Sequence, residues 1–363
     1  SFIPYDVKKE LGLPTYKEKD AIYCYHFYHL LLRAKNVWLL YNTDNEGIDA
    51  GEKSRFITQL EIEKQSKHNI TSTIYNAVLP EKAYEPVSIP KTDKILTRLH
   101  EIATDKGFSP SSLTNYIRNP LQFYMQRILR INEADEVEEN IAVNTLGTII
   151  HNALEELYTL YLNQFLALHH IEAMEAKIDE VILKHFKEIY KEGEITKGKN
   201  LLAFEVAKRN VYNFLQLEKK DIEEGQAIKV VLLEASLSCE IEVKSLPFPI
   251  KIAGKDDRIE ERNGAIRIID YKTGKVLGNS LKINDFTDLT SDIKNEKIIQ
   301  LLCYALMFEN HELKQNREVS AGIVSFKNMK SGFLPFGLGK GKDTELSIST
   351  EILEDFKAEL ETL

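Results

Sequence analysis

Cysteine is scarce in this chain: Cys24, Cys239 and Cys303 are widely spaced and form no Cys-x-x-Cys pair. That pattern fits neither a disulfide framework nor a zinc ribbon, and it points to a reducing, cytoplasmic setting. No run of about 18 apolar residues is present and no basic-apolar-small signal opens the chain, so no membrane segment is expected. Positive charge is also short. The 47 Lys and Arg against 56 Asp and Glu leave a formal net charge of −9, which argues against gripping nucleic acid by bulk charge and leaves only a local basic groove. Repeats and low-complexity tracts are missing too. So is the Gly-x-x-x-x-Gly-Lys-Ser/Thr phosphate loop, which excludes a self-contained ATPase of that kind. The first residue is Ser1 rather than Met, which suggests a segment excised from something longer.

What is present is ordinary globular material. A chain of 363 residues, 43% hydrophobic and 28% charged, has length for about two domains and enough apolar content to bury real cores. The organisation changes near residue 100. Before it, Ala21 to Arg33 reads as an amphipathic helix and "NVWLLYNT" (36–43) as a strand rich in β-formers. Short helical pieces are expected on either side, over 3–15 and 52–66. Residues 1–70 are small for an independent core and read as the tail of a domain whose body lies upstream. Residues 71–107, with Pro80, Pro86 and Pro90, read as an extended polar connection, and 108–363 as the second domain.

From residue 109 the signals sharpen. Ser109 before Pro110 and Asn119 before Pro120 are two helix starts, each an N-cap followed by proline at the first helical position. The acidic run "NEADEVEEN" (132–140) is most simply a solvated loop. Helical spacing of Leu146, Ile150, Ala153, Leu157 and Tyr161 predicts a long helix over 144–164, with His151 at the margin of its apolar face. Further helices are expected at 171–191 and 201–224. The period then changes to two, predicting strands at 228–243, 248–261 and 265–274 joined by turns at "SLP" and "RNG". A helix over 295–310 and a strand over 319–326 follow.

Chemistry concentrates at the ends of these apolar elements. Asp257 follows "PIKIAGKD" on one strand and Asp270 follows "AIRII" on the next, so hairpin-related strands can bring the two carboxylates together. Two such carboxylates repel in a low dielectric, and a divalent cation removes the conflict. Mg²⁺ needs only one or two carboxylates plus waters and phosphate oxygens. Lys272 shares a strand face with Asp270, where its ammonium can stabilise charge on a phosphate and position or deprotonate water. His151 can complete the sphere from the earlier helix. Read singly, each has a bland alternative. Asp270 with Lys272 is also a plain ion pair, Asp256-Asp257-Arg258 a turn, and His151 a half-buried histidine. Gln300 and Tyr304, one helical turn apart, are also polar positions on a core helix.

In order, "GTIIHNALEELY", "GKDDRIE", "IDYKTGK" thirteen residues on, and "QLLCYAL" closely resemble the PD-(D/E)XK nuclease superfamily, of the RecB and AddB type. "SPSSLTNYIRNPLQFY" is similar to that family's entry helices. The resemblance covers about residues 105 to 330. It implies an α/β, restriction-endonuclease-like fold with a mixed central sheet flanked by helices, and Mg²⁺- or Mn²⁺-dependent hydrolysis of DNA. It also implies His151, Asp257, Asp270 and the backbone carbonyl of Tyr271 as metal ligands, Lys272 as catalytic lysine, and Gln300 and Tyr304 on the DNA side. Glu234 is a weaker candidate for a supporting acid. Many relatives hold an iron–sulfur cluster through a cysteine in "CP" and three more near the end. Here that position is Asn119 and no cysteine follows Cys303, so no cluster is expected.

The first 70 residues resemble the end of a superfamily I helicase, with Arg33 of "LRAKNVWLL" as its ATP-reaching arginine and Leu32 where a threonine is usual. The combined expectation is a helicase-tail remnant on an exonuclease domain used in double-strand-break repair. Its partners would be DNA, an upstream helicase region and a second helicase–nuclease subunit. The alternatives are a silent nuclease-fold module acting as scaffold or DNA-end binder, and a stand-alone nuclease similar to the CRISPR adaptation exonucleases.

Overall fold

Helix starts lie where the Ser-Pro and Asn-Pro pairs predict them. Ser109 accepts a hydrogen bond from the Ser112 backbone N–H and opens the helix Pro110–Arg118; Asn119 accepts from Gln122 and opens Pro120–Phe123. The computed structural model describes residues 5–10, 12, 15–42, 53–75, 86–132, 141–190, 195–314 and 317–363. The chain divides into two units, Ser1–Val87 and Ser88–Leu363.

The first unit carries helices α1 (Tyr5–Glu10), α2 (Tyr16–Leu31) and α3 (Arg55–Ile62). Thr15 and Glu18 form a capping box at the start of α2, and Phe27 of α2 stacks on Phe56 of α3 with ring centroids 5.4 Å apart. No residue of α2 is fully buried, but Cys24, Phe27, Tyr28 and Leu31 are half-buried at helical spacing, so the helix has one partly covered face. The predicted strand 36–43 is not formed over its described residues: 37–42 have no regular structure, and Trp38 and Leu40 are 80% and 90% exposed. A lone β-rich run has no ladder to join, and propensity without a pairing partner does not make a strand. Thr43 lies outside the described residues.

The second unit opens with α4 (Asp93–Glu101) and a wide helical turn at Ile102–Lys106, where extended chain was expected. Gly107 then turns with φ 81°, and a Cβ there would meet the Ala253 Cβ at 3.0 Å. That close approach lets Phe108 bond both ways to the next strand, its N–H to Lys251 and its carbonyl from Ala253. The helices above, α5 (Pro110–Arg118) and α6 (Pro120–Phe123), are followed by α7 (Val143–Thr159), α8 (Leu168–Glu175), α9 (Ile178–Ile189) and α10 (Gly198–Glu223). One helix was expected over 171–191; the chain makes two. The acidic run 132–140 lies, apart from Asn132, outside the described residues.

Strands β1 (Ile228–Ile241), β2 (Ile250–Arg262) and β3 (Ala265–Lys272) form an antiparallel meander. Asn263 and Gly264, at φ 53° and 89°, close its second hairpin. A two-residue strand β4 (Lys282–Ile283), α11 (Glu296–Phe308), β5 (Val319–Ser325), β6 (Phe333–Pro335), β7 (Gly337–Leu338) and α12 (Thr350–Leu360) complete the chain. The main sheet runs β1-β2-β3-β5-β6, with β3 and β5 parallel and the other pairs antiparallel. It is the mixed central sheet flanked by helices that the sequence implies. One face packs Ile266, Ile268 and Ile323 against α11 and α12; the other packs Ile269, Tyr271 and Val324 against α7, α9 and α10. Burial of these side chains, about 1.5–3 kcal/mol each, fixes β3 at the centre of the domain. Among the described residues no helix is long and apolar enough to cross a membrane.

Candidate active site

β3 delivers its polar residues at the end of a buried run. Ile266, Ile268 and Ile269 are covered, and the strand then ends on Asp270, Tyr271 and Lys272. Pairing of β2 with β3 stops at Arg258 opposite Ile269, so Asp257 stands just beyond the last recorded pair of that ladder. It is caught there by the Tyr271 backbone N–H, which donates to Asp257 Oδ2 at 2.7 Å. The other oxygen, Oδ1, lies 3.2 Å from His151 Nδ1, delivered by α7. Glu234 of β1 approaches the same nitrogen at 3.9 Å. One ligand atom from each of His151, Glu234 and Asp257 falls within 4.8 Å of the others.

A second group sits on the far side of Tyr271. Asp270 is buried, its carboxylate 2.7 Å from Lys272 Nζ and accepting from Gln300 Nε2 at 3.0 Å. The same Gln300 amide donates to the Tyr304 hydroxyl at 2.7 Å. α11 thus presents Gln300 and Tyr304 to Asp270. The ring of Tyr271 points away into the helical core, edge-on to His151 with centroids 5.7 Å apart.

The electrostatics follow burial. Asp270 is pushed up to about 6, chiefly by burial and further by Asp257, with Lys272 pulling the other way. Burial alone would lower His151, but its contact with Asp257 and the charges of Asp270 and Glu234 outweigh that and raise it. Three carboxylates thus face one imidazole, and two of them, Asp270 and Glu234, are each also held by a lysine ammonium. A donor set of one ring nitrogen and several carboxylate oxygens fits Mg²⁺ or Mn²⁺, and the spacing allows one ion to be shared.

All seven residues singled out from the sequence, and Glu234, lie at or around the end of β3. The grouping differs in detail: Glu234, the weaker candidate, stands in the three-residue cluster, while Asp270 stands outside it on Lys272 and Gln300. Three further residues were missed. Lys255 Nζ holds Glu234 at 2.9 Å, and its position two residues before Asp257 on a strand was a readable signal. Asp256 is buried with neither oxygen hydrogen-bonded among the described residues. Arg258, fully buried, reaches Glu218 at 2.6 Å, Glu260 at 2.5 Å and the Tyr271 hydroxyl at 3.4 Å. No sequence pattern announces either burial.

Residues 107–363 match the model of the PD-(D/E)XK nuclease superfamily. The chain belongs to this superfamily. Its mixed sheet and flanking helices are those of a restriction-endonuclease-like fold. Among curated proteins, the chain is similar to the uncharacterized protein RC0550 of Rickettsia conorii (strain ATCC VR-613 / Malish 7). The two are 23% identical over 294 residues, 75% of this chain and 32% of the relative. The uncharacterized protein RT0391 of Rickettsia typhi (strain ATCC VR-144 / Wilmington) is 24% identical over 281 residues, 74% of this chain and 30% of its own length. An uncharacterized protein of Rickettsia felis (strain ATCC VR-1525 / URRWXCal2) is 25% identical over 186 residues, 49% of this chain and 20% of its own length. This PD-(D/E)XK chain spans a third or less of the length of these relatives.

Proposed function

We propose that the chain is a metal-dependent deoxyribonuclease, an exonuclease of the RecB and AddB type that works within a larger helicase–nuclease in double-strand-break repair. The observation that carries this reading is the His151–Glu234–Asp257 cluster standing next to the Asp270–Lys272 pair. His151, Asp257 and Asp270, with Glu234 in support and the Tyr271 carbonyl, would hold Mg²⁺ or Mn²⁺. No iron–sulfur cluster enters the reading. When bound, the ion supplies Lewis acidity and an activated water.

The chain's own groups do the rest. In hydrolysis the oxygen of water attacks phosphorus, the bond from phosphorus to the sugar oxygen breaks, and that oxygen takes a proton. Lys272 places an ammonium where negative charge develops on the phosphate and orients the attacking water. Gln300 fixes the Asp270 carboxylate, and with Tyr304 it offers amide and hydroxyl groups to the DNA strand. The Tyr271 N–H keeps Asp257 turned toward His151. In this reading residues 108–363 are the nuclease domain and 1–70 a helicase-like remnant joined through 71–107. The helicase association is supported by the α2–Arg33 pattern, the exposed apolar side chains of the first unit and the greater length of the relatives. It loses the support that a strand at 36–43 would lend.

The experiment is digestion of linear and circular, single- and double-stranded DNA with Mg²⁺ or Mn²⁺, wild type against Lys272→Ala. The wild type should degrade linear DNA, and the variant should be slower by about 10²-fold or more. Equal degradation by both overturns the catalytic assignment. A wild type that binds metal and cuts nothing favours the second reading, a silent module acting as scaffold or DNA-end binder. The engagement of Asp270 by Lys272 and Gln300, outside the metal-sized cluster, is the observation on that side.

A further inference from the structure

The carboxylate of Glu234 has neighbours of opposite character. Oε1 faces His151 Nδ1 at 3.9 Å, on the metal-sized side, while Oε2 is held by the Lys255 ammonium at 2.9 Å. Glu234 is delivered by a left-handed backbone, φ 46°, in the middle of β1. A side-chain-bearing residue is strained there, and such strain persists where the surroundings over-determine it, often at working sites. Its carboxylate is therefore presented at the site by a costly backbone, and the partner on its outer oxygen matters.

That partner is replaceable. The Lys255 side chain is 56% exposed, against 31% for Lys272 and none for Arg258, so only its ammonium end is committed to the site. It feels Glu234 first, then Glu155 and Asp257. An ammonium on Glu234 supplies part of the positive charge that three carboxylates around His151 require. A divalent ion in the cluster supplies it more strongly, repels the ammonium and competes for the same carboxylate. Lysine has a flexible four-carbon stem and rotatable donors, so the freed head group can reach a nearby phosphate without rebuilding the strand.

We propose that Lys255 is a placeholder cation: it rests on Glu234 in the metal-free site and, once a divalent ion takes that carboxylate, turns to a backbone phosphate of the bound DNA strand. The inference rests on the nuclease reading above and adds to it a metal-gated substrate contact. It makes Lys255 a positioning residue for the strand and gives it no part in bond breaking.

Lys255→Met keeps the stem and removes the charge; Lys255→Arg keeps the charge. Mg²⁺ and Mn²⁺ are titrated by calorimetry into wild type and both variants without DNA. A labelled single-stranded oligonucleotide is then titrated by anisotropy across a salt series with metal present, in a Lys272→Ala background that keeps the strand intact. Lys255→Met should bind metal about two- to fivefold more tightly, the scale of one exposed ion pair removed from competition. With metal present it should bind DNA more weakly, with the log–log salt slope reduced by about 0.7, one phosphate contact on a single strand. Lys255→Arg should restore the slope. Unchanged or weaker metal affinity in Lys255→Met, or an unchanged salt slope, overturns the inference. If the wild type binds metal and cuts DNA while Lys255→Met matches it in both titrations, Lys255 is an exposed ion pair and only this inference falls. If the wild type takes up no metal, the nuclease reading falls and this inference with it.

Discussion

Within eight residues β2 serves two clusters of charge that have little else in common. Toward its middle, Lys255 and Asp257 join Glu234 and His151 at an accessible rim, where the cations are lysines on flexible stems. Toward its end, Arg258, Glu260 and Arg262 join Glu218 and Asp221 of α10 in the interior. There the Arg258 guanidinium lies over Tyr158 at 4.7 Å and Phe214 at 5.6 Å, and the Tyr158 hydroxyl bonds Glu218. Burial works against charge on Glu260, yet Arg258 and Arg262 overcome it and hold that carboxyl below its ordinary range. Both clusters bury acids. The interior one carries arginines whose planar donors fix geometry permanently, while the rim one carries cations that can leave. A permanent network sets where α7, α10 and β3 stand, and a replaceable one leaves room for an ion and a phosphate.

The contrast breaks first at Arg258. Arg258→Met removes the fully buried cation between Glu218 and Glu260 and leaves them only Arg262, and should cost about 3–5 kcal/mol in urea denaturation. Adding Glu218→Gln should recover part of that loss, because one of the stranded charges is then gone. A loss below about 1 kcal/mol would mean that the interior cluster is as dispensable as a surface pair.

pH sharpens the contrast at the rim. Asp270, raised from 3.8 to about 6, binds protons more tightly folded than unfolded, so it takes stability away as pH climbs through that window. His151 is raised as well; its stabilisation is complete below the unfolded value of 6.5 and is lost as pH rises through the folded one. The metal-free protein should therefore melt lower by roughly a few degrees at about pH 8 than at about pH 5, measured in EDTA. Mn²⁺ should oppose the trend, since its ligands must be deprotonated to bind. His151→Gln in EDTA should flatten the upper part of the curve. In the interior cluster burial raises Glu218 while the arginines hold Glu260 low, so the two carboxyls contribute to the slope with opposite signs.

Much of this was legible in advance, for physical reasons that differ by element. The meander of β1 to β3 shows because strand faces alternate with period two and Asn263-Gly264 supplies the left-handed turn. The site residues show because Asp270 and Lys272 end an apolar run and Asp257 sits on the paired strand. The break between α8 and α9 does not show: Ala176 and Lys177 are both right-handed, with no glycine or proline to mark the stop, so packing sets it. Nor does the left-handed Glu234, at φ 46° inside an otherwise extended β1. The strand expected at 36–43 fails for the opposite reason, a local preference that nothing answers.

Asp256 is a third way to bury an acid, and the smallest expected effect. It stands between Lys255 and the site's Asp257, buried, with no cation on its carboxylate and both oxygens unbonded among the described residues. Burial, then the negative charges of Asp257 and Asp270, push its carboxyl well above its ordinary range. With its carboxyl raised and no cation on it, Asp256 draws a proton where Glu260 draws arginine and Glu234 a lysine ammonium. Folding must then take up that proton from water, and the cost grows as pH rises above the unfolded value of 3.8. Asp256→Asn supplies the neutral shape outright. It should stabilise the protein at neutral pH, with the gain shrinking as pH falls through the unfolded value of 3.8 and gone well below it, where both states of the wild type are protonated. Denaturation at the two pH values decides it: a loss of stability at neutral pH would show that the Asp256 carboxylate is charged and held by a cation, and would move it from the proton-held class to that of Glu234.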